Sequence, residues 1–236
     1  FLLHLGNHHL PLLRIVLKYY HNGKMCYQYV FSIPFVMKYL FILLLALCAC
    51  ETQKKPRSAK TVELMKSCLV CHSANEMQRG PSLEGLRQED FIKQVRNFKR
   101  GMRGRHKDDY TGVLMAEAVE KLSDEDLREL AQAFSSKKPN ETIQTVRGYI
   151  DRGAKFYHQL CVSCHGIKGR GTDLGSALWT LEDWYLLAQL RKYKNGQRAY
   201  HVEDHEAKVM KAVVANFDDQ DLKDMVKYIR DTFALR

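Results

Sequence analysis

The sequence predicts an all-α protein made of two tandem copies of one small helical bundle. Three observations predict it. The segment CLVCH (Cys68–His72) returns as CVSCH (Cys161–His165), 93 residues later. FIKQVRNFKRGMR (Phe91–Arg103) matches LLAQLRKYKNGQR (Leu186–Arg198), and LMAEAVEKLSDEDL (Leu114–Leu127) matches VMKAVVANFDDQDL (Val209–Leu222), both at an offset of 95. A fixed self-similarity of this kind marks a duplicated structural unit. Within each copy the apolar residues recur at helical spacing: Phe91, Ile92, Val95 and Phe98 in one, Leu186, Leu187, Leu190 and Tyr193 in the other.

The chain divides by composition in order. Residues 1–36 precede a Met and are read as upstream sequence outside the folded protein. MKYLFILLLALCAC (Met37–Cys50) has one Lys, then an apolar run from Tyr39 to Ala49. This is the pattern of an export signal, and the run is shorter than the roughly 20 residues that span a bilayer. Its ending, LCAC, resembles a bacterial lipoprotein signal, with 37–49 removed and Cys50 acylated. Cys48 is a competing acylation site. An uncleaved anchor that also uses Tyr29–Val36 is the alternative, although Lys38 interrupts it. Residues 50–60 read as a polar tether, 61–136 as the first domain, 137–145 as a linker and 146–236 as the second domain.

Inside each domain the helix boundaries carry their own signals. Gly101 and Gly196 end the first matched helix, with basic residues in its last turn, as the helix dipole favours. Ser123 and Asp218 are N-cap residues of the last matched helix, followed by acids. The formal charge is +10, but residues from 50 onward hold 33 basic and 27 acidic groups. That mild excess does not call for nucleic acid. The run Lys99–Lys107, KRGMRGRHK, is a local basic segment, either a steering patch for an acidic partner or a solvated loop.

Cys-x-x-Cys-His is the attachment sequence for c-type haem. One helical turn presents two thiols, Cys68 and Cys71 or Cys161 and Cys164, to the two vinyl groups of a porphyrin. The following imidazole, His72 or His165, then reaches the iron. A redox dithiol would not need the His. A four-cysteine zinc site would draw its pairs closer than the 89 residues between Cys71 and Cys161. A disulfide framework leaves the repeated His unexplained. The expectation is two covalent c-type haems. A bound prosthetic group would also complete the core of units this small.

An electron-transfer haem takes a second axial ligand, commonly Met. Met115 and Met210 are equivalent at the offset of 95, whereas Met102 aligns with Gln197 and Met225 with Leu130. Met115 and Met210 are therefore the expected ligands, placed by the sequence in loops before the capped helix. His106, His201 and His205 are competing candidates. Arg103 and Arg198 occupy matched turns and suit carboxylates, here haem propionates; the alternative is a solvated charge.

The region Thr61–Phe233 resembles the tandem two-haem class I cytochromes c of the c-four subclass. The residues that carry the resemblance are CLVCH, GPSLEGL (Gly80–Leu86), FKRGMR and LMAEAVEKLSDEDL with their second-half counterparts. The resemblance implies two all-helical cytochrome c domains with His/Met haems that exchange electrons near the domain interface. It implies a periplasmic electron carrier without a small-molecule substrate, serving a membrane oxidase, reductase or dehydrogenase. It also implies that the carbonyl of Pro81 accepts the proton of the His72 ring. The second half has Ser176 there, so a differently tuned His165 is expected. Gly153 and Phe156 are the family's helix-crossing pair in the second half. The first half has Lys60 and Glu63 instead, and a looser crossing is expected there. The competing functions are a two-haem peroxidase, the haem subunit of a dehydrogenase, and a gas sensor. Each of these, the dehydrogenase subunit apart, needs an open iron position, which two matched Mets disfavour. The location expected is the periplasmic side of a bacterial membrane, with a lipid anchor; a signal anchor or a soluble periplasmic form are the alternatives.

Overall fold

The computed structural model describes residues 15–21, 24–30, 57–73, 78–141 and 143–233. The chain forms two units, Phe1–Pro56 and Arg57–Arg236. In the first, strands β1 (Ile15–His21) and β2 (Lys24–Val30) pair antiparallel, from Ile15 opposite Val30 to His21 opposite Lys24. Residues 1–36, read from the sequence as upstream of the start, thus include a strand pair. Two β-branched and aromatic heptapeptides flank Asn22-Gly23, the dipeptide most typical of two-residue hairpin loops. The expected signal segment 37–49, Cys50 and most of the tether lie outside the described residues.

The second unit is helical throughout its described residues, as the sequence predicts. The first half contains α1 (Ala59–His72), α2 (Gln88–Lys99), α3 (Tyr110–Val119) and α4 (Asp124–Ser135). The second half contains α5 (Ile150–Phe156), one π-helical turn (Tyr157–Cys161), α6 (Val162–His165), α7 (Asp183–Lys194), α8 (His205–Val214) and α9 (Asp219–Phe233). Helix α1 starts earlier than the expected boundary at 61, because Ser58 accepts the Thr61 N–H at 3.1 Å and caps it.

The copies agree in their caps. Asp109 and Asp204 accept N–H groups of Gly112 and Ala207 at 2.9 and 3.0 Å, starting α3 and α8. Ser123 and Asp126 form a reciprocal capping box on α4, and Asp218 and Asp221 do the same on α9. Gly101 and Gly196, at φ 73° and 76°, take the left-handed conformation that ends α2 and α7. The Lys99 ammonium donates to the carbonyls of Glu120 and Leu122 past the end of α3. Lys194 does the same to Ala215 and Phe217 past α8. These cations sit where the helix dipole is negative.

Each half has its own apolar cluster. Met65, Phe91, Val95, Phe98, Leu127, Leu130 and Phe134 form the first; Tyr157, Leu186, Leu187, Leu222, Met225, Val226, Ile229 and Phe233 form the second. In the second, Gly153 lets α5 lie directly on α9. A Cβ there would run into the Asp224 carbonyl and come within 2.9 Å of the Tyr228 Cβ. The aromatic at that crossing is Tyr157, fully buried against Tyr228 and Phe233, rather than the expected Phe156. Phe156 is half-buried and packs edge-on against Phe217 at 4.8 Å. The matching crossing of α1 on α4 is polar. Buried Thr61 donates to Glu129, and Lys60 pairs with Asp126 at 2.6 Å.

The Lys60 ammonium beside Asp126, with the Ser123 hydrogen bonds, holds that carboxyl at about 2. A lowered folded pKa adds stability above the ordinary carboxylate range, lost as pH falls through about 2. We expect Ser123→Ala to cost about 1 kcal/mol in chemical denaturation at neutral pH. The penalty should shrink toward pH 2, as Asp126 protonates and the reciprocal cap fails in both proteins.

Candidate functional site

The two Cys-x-x-Cys-His segments reach the same geometry by different helices. In the first half, α1 runs unbroken through Cys68, Cys71 and His72. The N–H groups of Arg79 and Gly80 both donate to the Cys71 carbonyl at 2.9 Å, folding the next loop back over the helix end. In the second half, the π turn precedes the short α6, and Gly166 at φ 78° ends it. There Gly171 N–H donates to the His165 carbonyl at 2.9 Å, and Thr172 Oγ1 donates to the Cys164 carbonyl at 2.6 Å.

These folded-back loops orient the imidazoles. His72 Nδ1 lies 2.6 Å from the Pro81 carbonyl, and His165 Nδ1 lies 2.7 Å from the Ser176 carbonyl. Each Nδ1 donates its proton, so each Nε2 is left as the ligating atom. Ser176 replaces Pro without removing this bond, because a backbone carbonyl serves whatever the side chain. Burial pushes both imidazolium groups down from their usual range. The carbonyl bonds and nearby carboxylates, Glu182 at His72 and Asp90 at His165, only partly offset this. Both rings are thereby kept neutral, as a ligand must be.

The four cysteines of the two motifs are free thiols. Burial pushes Cys68 up, and burial with the neighbouring Cys164 pushes Cys161 up to about 11. A redox dithiol shows the opposite, a lowered pKa. No group of three or more His, Cys, Asp and Glu side chains that could hold a metal ion occurs among the described residues.

Arg103 and Arg198 are buried, 6% and 7% exposed, rather than solvated. Their guanidinium groups lie over Phe98 and Tyr193, 4.3 and 4.1 Å from the ring centroids. Both donate to one acceptor, Gln189 Oε1, at 3.1 and 3.2 Å, and Arg103 donates also to Gln94. Each retains a buried Nε without a hydrogen-bond partner. Burial would raise the nearby Tyr185 hydroxyl, yet the two arginines hold it below its usual range. Burial and the charge of Arg103 lower Arg198. Two buried cations around one neutral amide, with unsatisfied donors, form a site complementary to carboxylates. These residues therefore fit haem: thiols for its vinyl groups, a neutral imidazole for its iron and guanidiniums for its propionates.

Met115 and Met210 lie on helices α3 and α8 rather than in loops, each half-buried and at equivalent positions. Met115 packs against the first apolar cluster. Met102 is buried beside Arg103, and Met225 is core of the second half. His106 and His201 bond backbone N–H groups of Asp108 and Glu203 at 3.2 Å, and His205 is exposed. The basic run divides: Lys99 caps a helix, Arg103 is buried, Arg100 faces Glu203 at 3.6 Å, and Arg105 and Lys107 remain exposed. Glu182 and Asp90, two buried carboxylates that contact the His-orienting loops, were not anticipated from the sequence.

Comparison with known proteins agrees with this geometry. Residues 150–233 match the family model for cytochrome c. Cytochrome c4 of Stutzerimonas stutzeri is 27% identical over 188 residues, covering 69% of this chain and 83% of the relative. Cytochrome c4 of Azotobacter vinelandii is 25% identical over 182 residues, with the same coverage of both chains. Among solved structures, reduced recombinant cytochrome c4 from Pseudomonas stutzeri superposes with a TM-score of 0.54 at 25% identity, over 72% of this chain and 96% of that one. The Acidithiobacillus ferrooxidans cytochrome c4 structure gives 0.57 at 21% identity, over 70% and 97%. A thiosulfate dehydrogenase from Marichromatium purpuratum shares the fold at 0.55 and 24% identity, but over only 35% of its chain. Residues 150–233 are a cytochrome c domain, and over most of its length the chain resembles cytochrome c4, which supports a cytochrome c electron-transfer protein with covalently bound haem c.

Proposed function

We propose that the chain carries two haem c groups, each with one His and one Met axial ligand, and relays electrons between redox protein partners. The observation that carries this reading is the doubled His geometry, with Nδ1 held at 2.6 and 2.7 Å from a carbonyl and Nε2 left for iron in both halves. Bound haem supplies one-electron exchange at its iron. The chain supplies the rest. Cys68, Cys71, Cys161 and Cys164 would anchor the groups by thioether bonds, so neither is lost after export. His72 and His165 hold the iron in a fixed orientation. Met115 and Met210 favour the reduced state and raise the potential. Arg103 and Arg198 would offset propionate charge where the halves meet, and lower the cost of placing two charged groups there.

The test is stoichiometric. Acid-acetone extraction of the purified protein should leave two haems on each polypeptide, read from the pyridine haemochrome spectrum against protein concentration. One haem per chain, or release of the porphyrin into the solvent, overturns the reading.

We propose a location on the periplasmic side of a bacterial membrane, held by a lipid on Cys50; the apolar segment Tyr39–Ala49 before Cys50 supports this reading. No described helix is long and apolar enough to cross a membrane. In a bacterial host, Cys50→Ser should move the protein from the detergent phase to the aqueous phase, or leave it unprocessed. Unchanged partitioning together with unchanged processing would refute the anchor.

A further inference from the structure

Each histidine donates to a carbonyl, and the N–H of that same peptide unit is also engaged. The Pro81 carbonyl and Ser82 N–H belong to one peptide; the Ser176 carbonyl and Ala177 N–H belong to another. Ser82 N–H donates to both oxygens of Glu182, at 3.0 and 3.2 Å. Ala177 N–H donates to Asp90 Oδ2 at 2.9 Å. In both cases the carboxylate comes from the opposite half. Glu182 precedes α7 and reaches the loop over His72. Asp90, in the first turn of α2, reaches the loop over His165.

Duplication does not explain the pair. At the offset of 95, Asp90 aligns with Tyr185 and Glu182 with Arg87. Non-equivalent positions thus deliver a carboxylate to equivalent peptides. Both are buried, at 7% and 2% exposure. A buried charge on a peptide N–H is a strong interaction that polarises the whole amide. The carbonyl oxygen becomes more negative and draws the imidazole Nδ1 proton harder. The ring then donates more charge through Nε2, which favours the oxidised iron.

We propose that Glu182 and Asp90 are positioning residues that lower the reduction potential of the haem in the opposite half, acting through the Pro81–Ser82 and Ser176–Ala177 peptides. This rests on the two-haem reading above. The two arms are unequal. Arg87 binds both Asp90 oxygens at 2.9 and 3.0 Å and also donates to the Thr172 carbonyl, so its guanidinium draws charge from that carboxylate. Glu182 also accepts from the neutral Gln78 amide at 2.7 Å, with the Arg230 guanidinium a nearby charge. The bidentate guanidinium on Asp90 draws charge more directly, so the Glu182 arm is the stronger, and His72 the more strongly affected ligand.

The test uses the full-length haem-loaded protein and the isosteric variants Glu182→Gln and Asp90→Asn. Each keeps an acceptor for the peptide N–H and removes the charge. Potentials are read for each haem from NMR resonances of its own half during a redox titration. The Nδ1–H resonances of His72 and His165 are read in the reduced protein. Glu182→Gln should raise the potential of the His72 haem, shifting its oxidised-to-reduced ratio about three- to tenfold, where tenfold is about 59 mV. The His72 Nδ1–H resonance should move to lower shift, with His165 unmoved. Asp90→Asn should do the converse, more weakly, and Glu182→Asp should restore the native values. Two haems with unchanged potentials overturn the proposal while leaving the two-haem reading intact. A changed potential with an unmoved Nδ1–H overturns the peptide route, because a direct field alone would then suffice. A chain with one covalent haem overturns the two-haem reading, and the reciprocal pairing with it.

Discussion

Replacing Met115 with Ala is expected to lower the potential of one haem per chain and to open that haem to carbon monoxide. A thioether ligand favours the ferrous state, and axial ligation moves haem potentials across about 0.8 V. A drop on the order of 0.1 V or more is therefore the expected scale. Met210→Ala should do the same to the other haem, because Met210 occupies the equivalent place on α8 that Met115 has on α3. Met102→Ala should do neither. Met102 is buried beside Arg103 after the glycine that ends α2, and its counterpart is Gln197. Its loss should cost stability, about 2–5 kcal/mol for a buried Met truncated to Ala, without opening a ligand position. The measurement is carbon monoxide uptake per chain in the reduced protein, followed at the Soret band. If Met102→Ala binds carbon monoxide and Met115→Ala does not, the ligand assignment is wrong. Uptake by the unsubstituted protein would show an open site and favour a peroxidase or gas sensor over a carrier.

The sequence proposes that assignment because duplication turns a chemical question into an alignment. Met115 and Met210 survive at one offset with the capped helices, and the cysteine motifs recur at an offset two residues shorter. What their surroundings look like was less legible. The loops expected around both Mets are the helices α3 and α8, and the signal for them was a single Asp in each copy, Asp109 and Asp204, capping the next turn. The Ser176 departure was read as a chemical change because the side chain differs. The bond uses the backbone, which sequence does not distinguish. The burial of Arg103 and Arg198, and their sharing of Gln189, depends on how the halves pack. So do Glu182 on Ser82 and Asp90 on Ala177. The contacts among these that cross between the halves join residues 86 to 100 positions apart, beyond the reach of periodicity or local motif. No element was sought around β1 and β2, because that segment was read as lying upstream of the start.

The second large effect is expected at Gly80. Its loop is pinned on both sides. Arg79 and Gly80 N–H groups bind the Cys71 carbonyl, and the next residue, Pro81, holds His72. A Cβ on Gly80 would lie about on top of the imidazole, 2.6 Å from Nδ1. The ring has no room to yield without leaving the Pro81 carbonyl, and the loop has none without breaking the Cys71 bonds. Gly80→Ala should therefore unseat His72. Loss of a buried hydrogen bond plus an overpacked contact costs about 2–4 kcal/mol together. The electronic result is larger than the thermal one, because the axial ligand itself is displaced. One haem per chain should lose its low-spin spectrum or bind carbon monoxide on the His72 side, with both thioether links retained. The matched glycine gives the control. A Cβ on Gly175 would meet the Cys164 carbonyl carbon and oxygen, at 2.9 and 2.7 Å, rather than the His165 ring. Gly175→Ala should accordingly lower the melting temperature while leaving both low-spin signatures in place at ambient temperature. Equal spectral loss in the two variants would mean that both glycines act only through the loop backbone, and that close contact with the ring is not what Gly80 provides.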